Sequence, residues 1–210
     1  MTRRRYLAAL LTLLALPCTT ASPARGAPQK PARPKPVIGV SLLTLTNPFF
    51  LELGEAMKEE AAKHGMEVVL TAGEFDVAKQ RNQVNDFIVR RVSAIVLCPC
   101  DSKAIGTAIA DANKAGIPVF TADIASLADP KTAKVEGHVA TDNLGGGRLA
   151  AKAVIEALGG SGKVAVLDFP EVESVLLRTK GFEEEIAKHN AAGKGTIRVV
   201  TKLPGGGAKD

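Results

Sequence analysis

Residues 94–123 of the chain read AIVLCPCDSKAIGTAIADANKAGIPVFTAD, and this stretch decides the fold class. It begins and ends with short apolar runs, AIVLC (94–98) and IPVFT (117–121), which are typical of buried strands. Between them the pattern predicts a helix from Ser102 to Ala115, with Asp101 or Ser102 as its N-cap and Gly116 as its stop. A strand, a helix and a second strand in this order indicate a βαβ unit with parallel strands.

The same alternation continues on both sides of this unit. Helical patterns follow the apolar runs, the first beginning near Phe50 and the next covering about Val77 to Arg91. We therefore predict an α/β fold with doubly wound parallel sheets that helices cover on both faces. Only two strands and two helices follow Asp142, which is too few for an independent sheet core. The further strand runs are VIGVSLL (37–43), MEVVLT (66–71), HVATD (138–142), KVAVLD (163–168) and TIRVVTK (196–202).

The basic character of the chain comes from its N-terminus. Seven of the 27 Lys and Arg residues and none of the 22 Asp and Glu residues precede Val37. The remaining part is therefore slightly acidic, and it has neither a cluster of basic residues nor a nucleic-acid-binding motif. We expect no nucleic-acid partner.

The first residues have the order of an export signal. The basic segment TRRRY (2–6) precedes the apolar run LAALLTLLAL (7–16) and then small residues, with a cleavage site at Thr19-Thr20-Ala21. The apolar run is too short to span a bilayer. We predict a signal peptide over residues 1–21, a Pro-rich linker over 22–36 and a periplasmic location. Export would follow the general secretory route, or the twin-arginine route that Thr2–Leu7 resembles.

The sequence offers little for catalysis, metal binding or a cofactor. His64, His138 and His189 are scattered, and no hydrolase, zinc or phosphate-loop motif is present. Cys98 and Cys100 are too close for an unstrained disulfide and too few for a metal site, so we interpret them as small apolar residues at a strand end. The glycines 145–147 open a helix and could bind an anion there, but close packing between helices explains them better.

Candidate binding residues follow the strand ends, because ligands of doubly wound sheets bind there. Their amide, carboxylate, guanidinium and aromatic groups suit a polyol, whose hydroxyls pair with planar polar groups and whose C–H patches pack on rings. Phe49 and Phe50 could hold a sugar ring between them, or both could belong to the core at a helix start. The candidates are Asn47, Phe49, Phe50, Cys98, Cys100, Asp101, Asp123, Ile124, Thr141, Asp142 and Arg178.

Five segments together resemble a known family, the periplasmic sugar-binding proteins of ABC transporters, of the ribose-binding type. That resemblance implies two α/β lobes, at 37–141 and 142–210, which close on a monosaccharide and present it to a membrane permease. It implies no enzyme activity and no cofactor, and it implies ligand contacts from Asn47, Phe49, Phe50, Asp123, Thr141 and Arg178. The segments are NPFF (47–50), AIVLCPCDSKAI (94–105), GIPVFTAD (116–123), HVATDNLGGGRLAA (138–151) and RTKGF (178–182).

Three differences from that family pattern limit what the resemblance implies. Ile124 stands where ribose-binding members have Arg, and Cys98 stands where they have Asn, so ribose is not identified as the sugar. Members of the family also continue beyond the length of this chain, so we expect the second lobe to be incomplete. Two alternatives share the fold, a periplasmic sugar receptor for chemotaxis or a sensor kinase, and the effector domain of a lactose-repressor type regulator.

Overall fold

A computed structural model describes residues 34–205 of the chain. Five parallel strands form the first sheet in the order β2-β1-β3-β4-β5. The order reverses direction at β1, as in a doubly wound sheet. The strands are β1 (Val37–Leu42), β2 (Glu67–Ala72), β3 (Ala94–Leu97), β4 (Val119–Ala122) and β5 (Gly137–Val139).

Three helices connect the strands of the first sheet: α1 (Pro48–Lys63), α2 (Val77–Val89) and α3 (Gly106–Lys114). The helix α1 begins at a proline whose missing N–H costs nothing in the first turn. The helix α3 begins later than the sequence predicted, because Asp101 Oδ1 accepts from Lys103 N at 2.8 Å and Ala104 N at 2.7 Å and so caps a separate turn. Gly116 ends this segment with a φ of +75°, as predicted.

The first sheet has a buried apolar cluster on each face, although Phe120 and Val139 at its β4–β5 edge are exposed. Ile95, Leu97 and Val119 pack with Phe87 of α2 on one face, while Val40 and Leu42 pack with α1 on the other. Alternate residues of a strand point to opposite faces, so the continuous apolar strands supply both clusters.

A second, smaller sheet follows, in which β6 (Gly162–Asp168) pairs in parallel with β7 (Ile197–Pro204). The helices α4 (Asn143–Ala157) and α5 (Glu173–Ala191) complete this region. The α/β class and the parallel sheets are thus confirmed.

Helices α4 and α5 approach each other at two glycines. A Cβ added to Gly147 would lie 2.0 Å from the Arg178 carbonyl oxygen, and one added to Gly181 would lie 2.1 Å from the Leu144 carbonyl oxygen. Any side chain at these positions would collide with backbone. The interpretation of the glycines 145–147 as close helix packing is confirmed at Gly147.

Two contacts join the start of α5 to the first sheet. Ser102 N donates to Glu171 O at 2.9 Å, and Ser102 Oγ accepts from Glu173 N at 2.9 Å. The rings of Phe75 and Phe169 meet edge to face, with their centroids 6.0 Å apart. The beginning of α5 therefore lies against the loops that follow β2 and β3.

The predicted signal peptide and most of the predicted linker lie outside the described residues. Within residues 34–205, the helices are too short or too polar to cross a membrane.

Candidate functional site

The carboxyl ends of the first-sheet strands and the start of α5 surround a cavity of about 310 Å³. Every residue that the sequence analysis assigned to ligand contact lines this cavity. They come from four separate segments of the chain, and the fold brings them to one place. The lining residues are Leu43, Asn47, Phe49, Phe50, Phe75, Asp123, Ile124, Thr141, Phe169, Val172, Ser174, Val175 and Arg178.

Asn47 has a structural role at the start of α1. Its Oδ1 accepts from Phe49 N at 3.0 Å and so caps the helix. This bond uses the carbonyl oxygen and leaves the Nδ2 group as the donor available to the cavity. The cap also fixes the side chain before any ligand arrives.

The rings of Phe49 and Phe50 meet edge to face, with centroids 5.0 Å apart and planes at 77°. No sugar ring fits between them, so the predicted stacking of a ring between these two residues is wrong. Phe50 is 6% exposed and belongs to the core with Leu42, whereas Phe49 is 52% exposed. Phe49 is therefore the ring that can offer a face to a ligand.

Asp123 lies in a tight turn directly after β4. Its φ is +62°, which Asp tolerates better than most residues, and its N–H donates to Val139 O at 2.8 Å. Burial raises the pKa of the Asp123 carboxyl, while the positive charges of Arg178 and His138 act in the opposite direction. The backbone thus fixes a partly desolvated carboxylate at the cavity that Arg178 also lines.

Cys98 and Cys100 lie behind the cavity rather than in its wall. Both are buried free thiols, as predicted, and the Cys98 thiol donates to Asp123 Oδ2 at 3.9 Å. Burial raises the pKa of Cys98 well above its usual range and that of Cys100 to about 12. Protonated thiols are poor nucleophiles, so these residues support the loop rather than react.

A buried glutamine holds this loop in place. Gln80 Nε2 donates to Cys98 O at 2.9 Å and to Ser41 Oγ at 3.2 Å, while its Oε1 accepts from Cys100 N at 2.8 Å. Gln80 is 1% exposed, so each of these bonds replaces one to water. The ends of β1 and β3 are thereby linked to α2.

Thr141 and Arg178 reach the cavity from the later part of the chain. Thr141 lies between β5 and Asp142, whose Oδ1 accepts from Gly145 N at 2.9 Å and caps α4. Arg178 lies on α5 at the point where Gly147 allows α4 to touch its carbonyl oxygen. The glycine contact therefore helps to fix where Arg178 stands.

Some candidates from the sequence lie outside the cavity, and some lining residues were missed. Cys98, Cys100, Asp101 and Asp142 do not line it, since they cap turns or support the loops. Phe75 and Phe169 follow β2 and β6, so the rule about strand ends would have found them had it been applied to every strand. The other missed lining residues are Leu43, Val172, Ser174 and Val175.

Residues 38–208 match the model of the periplasmic binding protein domain family. The chain belongs to this family. Among solved structures of the family's fold, a Caulobacter myo-inositol binding protein aligns with a TM-score of 0.71 and 27% identity, covering 80% of this chain and 55% of that one.

Curated relatives of this periplasmic binding protein include two ribose import binding proteins. The protein from Bacillus subtilis is 40% identical over 166 residues, which cover 79% of this chain and 51% of that protein. The one from Escherichia coli is 32% identical over 186 residues, which cover 88% of this chain and 59% of that protein. The chain spans little more than half the length of these relatives.

Proposed function

We propose that this protein is the substrate-binding component of an ABC sugar importer, and that it holds a monosaccharide in the cavity between two lobes. The observation that carries the proposal is the convergence of Asn47, Asp123, Thr141 and Arg178 on one cavity beside the exposed ring of Phe49. Two relatives are named as ribose import binding proteins and a similar structure as a myo-inositol binding protein. These names support a polyhydroxylated ligand of this size.

The chemistry of the cavity suits a neutral polyol. A carboxylate and a guanidinium can each pair with two neighbouring hydroxyls, and they leave the cavity without a large excess of either charge. The Asn47 amide adds a hydrogen-bond donor, and the Thr141 hydroxyl adds a group that can both donate and accept. The volume of about 310 Å³ lies at the small end of the range for ligand pockets, which fits a single sugar ring.

The lining residues do not form a catalytic constellation. Ser174 is the one hydroxyl nucleophile besides Thr141, and no histidine lines the cavity to act as its base. The nearby thiols of Cys98 and Cys100 have raised pKa values. A binding role without chemistry is therefore the proposal.

Contacts between the first sheet and α5 support a closing mechanism. Asp123 and Arg178 line the same cavity from the first sheet and from α5, and Ser102 bonds to the backbone at the start of α5. We propose that a bound sugar adds contacts to both sides and so favours the closed state over the open one. A membrane permease would then recognise the closed state, and the predicted export signal fits a periplasmic site of action.

Titration calorimetry of the 210-residue protein against a panel of pentoses, hexoses and polyols tests the binding function. We expect one or a few sugars to bind, and Asp123→Ala or Phe49→Ala to weaken that binding about tenfold or more, since each removes a direct partner. The matched control is Asp101→Asn, which keeps the turn cap outside the cavity. Unchanged affinity in both cavity variants would refute the site.

The transport role needs a separate experiment. Deletion of the gene in the source organism should abolish uptake of the sugar that binds in vitro. Normal uptake in the deletion strain would refute the importer role and leave the binding function standing.

A further inference from the structure

The cavity lining contains a continuous apolar part. We call Leu43, Phe75, Ile124, Phe169, Val172 and Val175 the apolar wall. Leu43, Phe75 and Ile124 come from the first sheet and its loops, whereas Phe169, Val172 and Val175 come from the start of α5 and the loop before it. All of them belong to one packed cluster or lie against it.

The apolar wall is a fixed surface. Ile124 and Val172 are each 1% exposed, and Leu43 and Phe169 are 6% and 7% exposed. The edge-to-face contact of Phe75 with Phe169 locks the two aromatic rings against each other. Side chains held in this way cannot turn aside to admit water or a polar neighbour.

The backbone of the apolar wall also offers few free donors. The N–H of Phe75 donates to Leu43 O at 3.3 Å, and the N–H of Ile124 donates to Ala122 O at 2.7 Å. The N–H of Phe169 donates to Asp168 Oδ1 at 2.9 Å, and that of Val172 to Phe169 O at 3.4 Å. These four amides already have their partners.

A sugar hydroxyl placed against the apolar wall would therefore lose bonds to water, and none of these four amides could donate to it in return. An unpaired polar group weakens binding, whereas a CH₂ or CH₃ group in the same place gains affinity by leaving water. The polar lining residues can serve only part of a ligand's outline; they are Asn47, Asp123, Thr141, Ser174 and Arg178. The ligand that satisfies both parts has hydroxyls along one portion and none along the other.

We propose that the cavity selects a deoxy sugar, a monosaccharide in which a hydrogen or methyl group replaces a hydroxyl on the edge that meets the apolar wall. Ile124 and Val175 set this preference, one from each side of the cavity. The inference rests on the proposed function, because it assumes that the ligand is a sugar.

The experiment compares pairs of sugars that differ by a single hydroxyl. The pairs are D-galactose with D-fucose, L-mannose with L-rhamnose, and D-ribose with 5-deoxy-D-ribose, each titrated calorimetrically into the 210-residue protein. We expect the deoxy member of at least one pair to bind about tenfold or more tightly than its partner, the scale on which apolar pockets discriminate. Equal or weaker binding of the deoxy member in every pair overturns the inference and leaves the proposed function standing. No binding by any member of the three pairs or of the wider sugar panel overturns both.

Substitutions in the apolar wall then test which residues set the preference. Ile124→Thr replaces an ethyl group with a hydroxyl and Val175→Thr replaces a methyl group with one, and each should reduce the preference for the deoxy sugar about threefold or more. Val89→Thr makes the same change at a position that is 81% exposed and outside the cavity, and it should leave the preference unchanged. A preference that survives both wall substitutions in folded protein overturns the assignment of Ile124 and Val175.

Discussion

The two sheets of the molecule differ in how much apolar surface each one buries. The first sheet separates two clusters of buried side chains, one on the α2 and α3 face and one on the α1 face. The second region has one cluster with three buried members, Ala151, Ile186 and Ile197. Its strands leave Leu167 69% exposed and Leu203 49% exposed.

This difference bears on the two sides of the cavity. The loops that present Asn47 and Asp123 pack against the larger buried cluster of the first sheet. The hydrogen bonds of Gln80 hold the neighbouring loop after β3. Arg178 stands on a helix that is held by backbone contact at two glycines and by the bonds of Ser102. Hydrophobic burial thus fixes both sides of the cavity, and close helix packing adds to it on the side of Arg178.

The largest effect should come from removing a large side chain from the first core. Phe87 is 1% exposed and lies directly against Gly39, so Phe87→Ala should reduce the free energy of unfolding by about 3 to 5 kcal/mol. Ile186→Ala, in the smaller cluster, should cost about 2 kcal/mol. The chain has no Trp, so urea unfolding is best followed by far-UV circular dichroism. A larger loss for Ile186→Ala than for Phe87→Ala would contradict the comparison.

A smaller effect should follow from adding one methyl group between α4 and α5. Gly147→Ala places a Cβ against the Arg178 carbonyl oxygen, which cannot move without shifting α5, so it should destabilise the protein by about 1 to 3 kcal/mol.

The neighbouring Gly146→Ala is the matched control. No atom outside the local backbone of α4 lies within 4 Å of the added Cβ, so the better helix propensity of Ala should raise stability by up to about 1 kcal/mol. The same unfolding curves measure both variants. Equal stabilities for the two would mean that the glycine contact does not hold α5 in place.

Much of the fold could be predicted because β1 to β4 are short, mostly apolar runs between helix signals, whereas β5 is only the three residues Gly137–Val139. The late start of α3 could not be predicted. The carboxylate of Asp101 caps a separate turn, and the sequence pattern of such a turn cap does not differ from that of a helix cap.

Asn47, Asp123 and Thr141 were found from their places after strands, whereas Ser174 was missed. Of the apolar wall only Ile124 was found, because Val172 and Val175 look like ordinary residues of a helix and its start until α5 packs against the first sheet.

The smallest effect concerns the charge at the boundary between the two regions. Burial raises the pKa of Asp123 in the folded state, so folding favours its protonated form. The stability gained in this way is complete below the unfolded pKa, near 4, and is lost as the pH rises through the folded pKa. Asp123→Asn should therefore flatten the decline in melting temperature above pH 4 and slightly stabilise the protein at pH 7. Asp101→Asn, outside the cavity, should keep the wild-type profile. A steeper decline in Asp123→Asn would mean that attraction to Arg178 and His138 outweighs burial, and that charge rather than packing holds α5 against the first sheet.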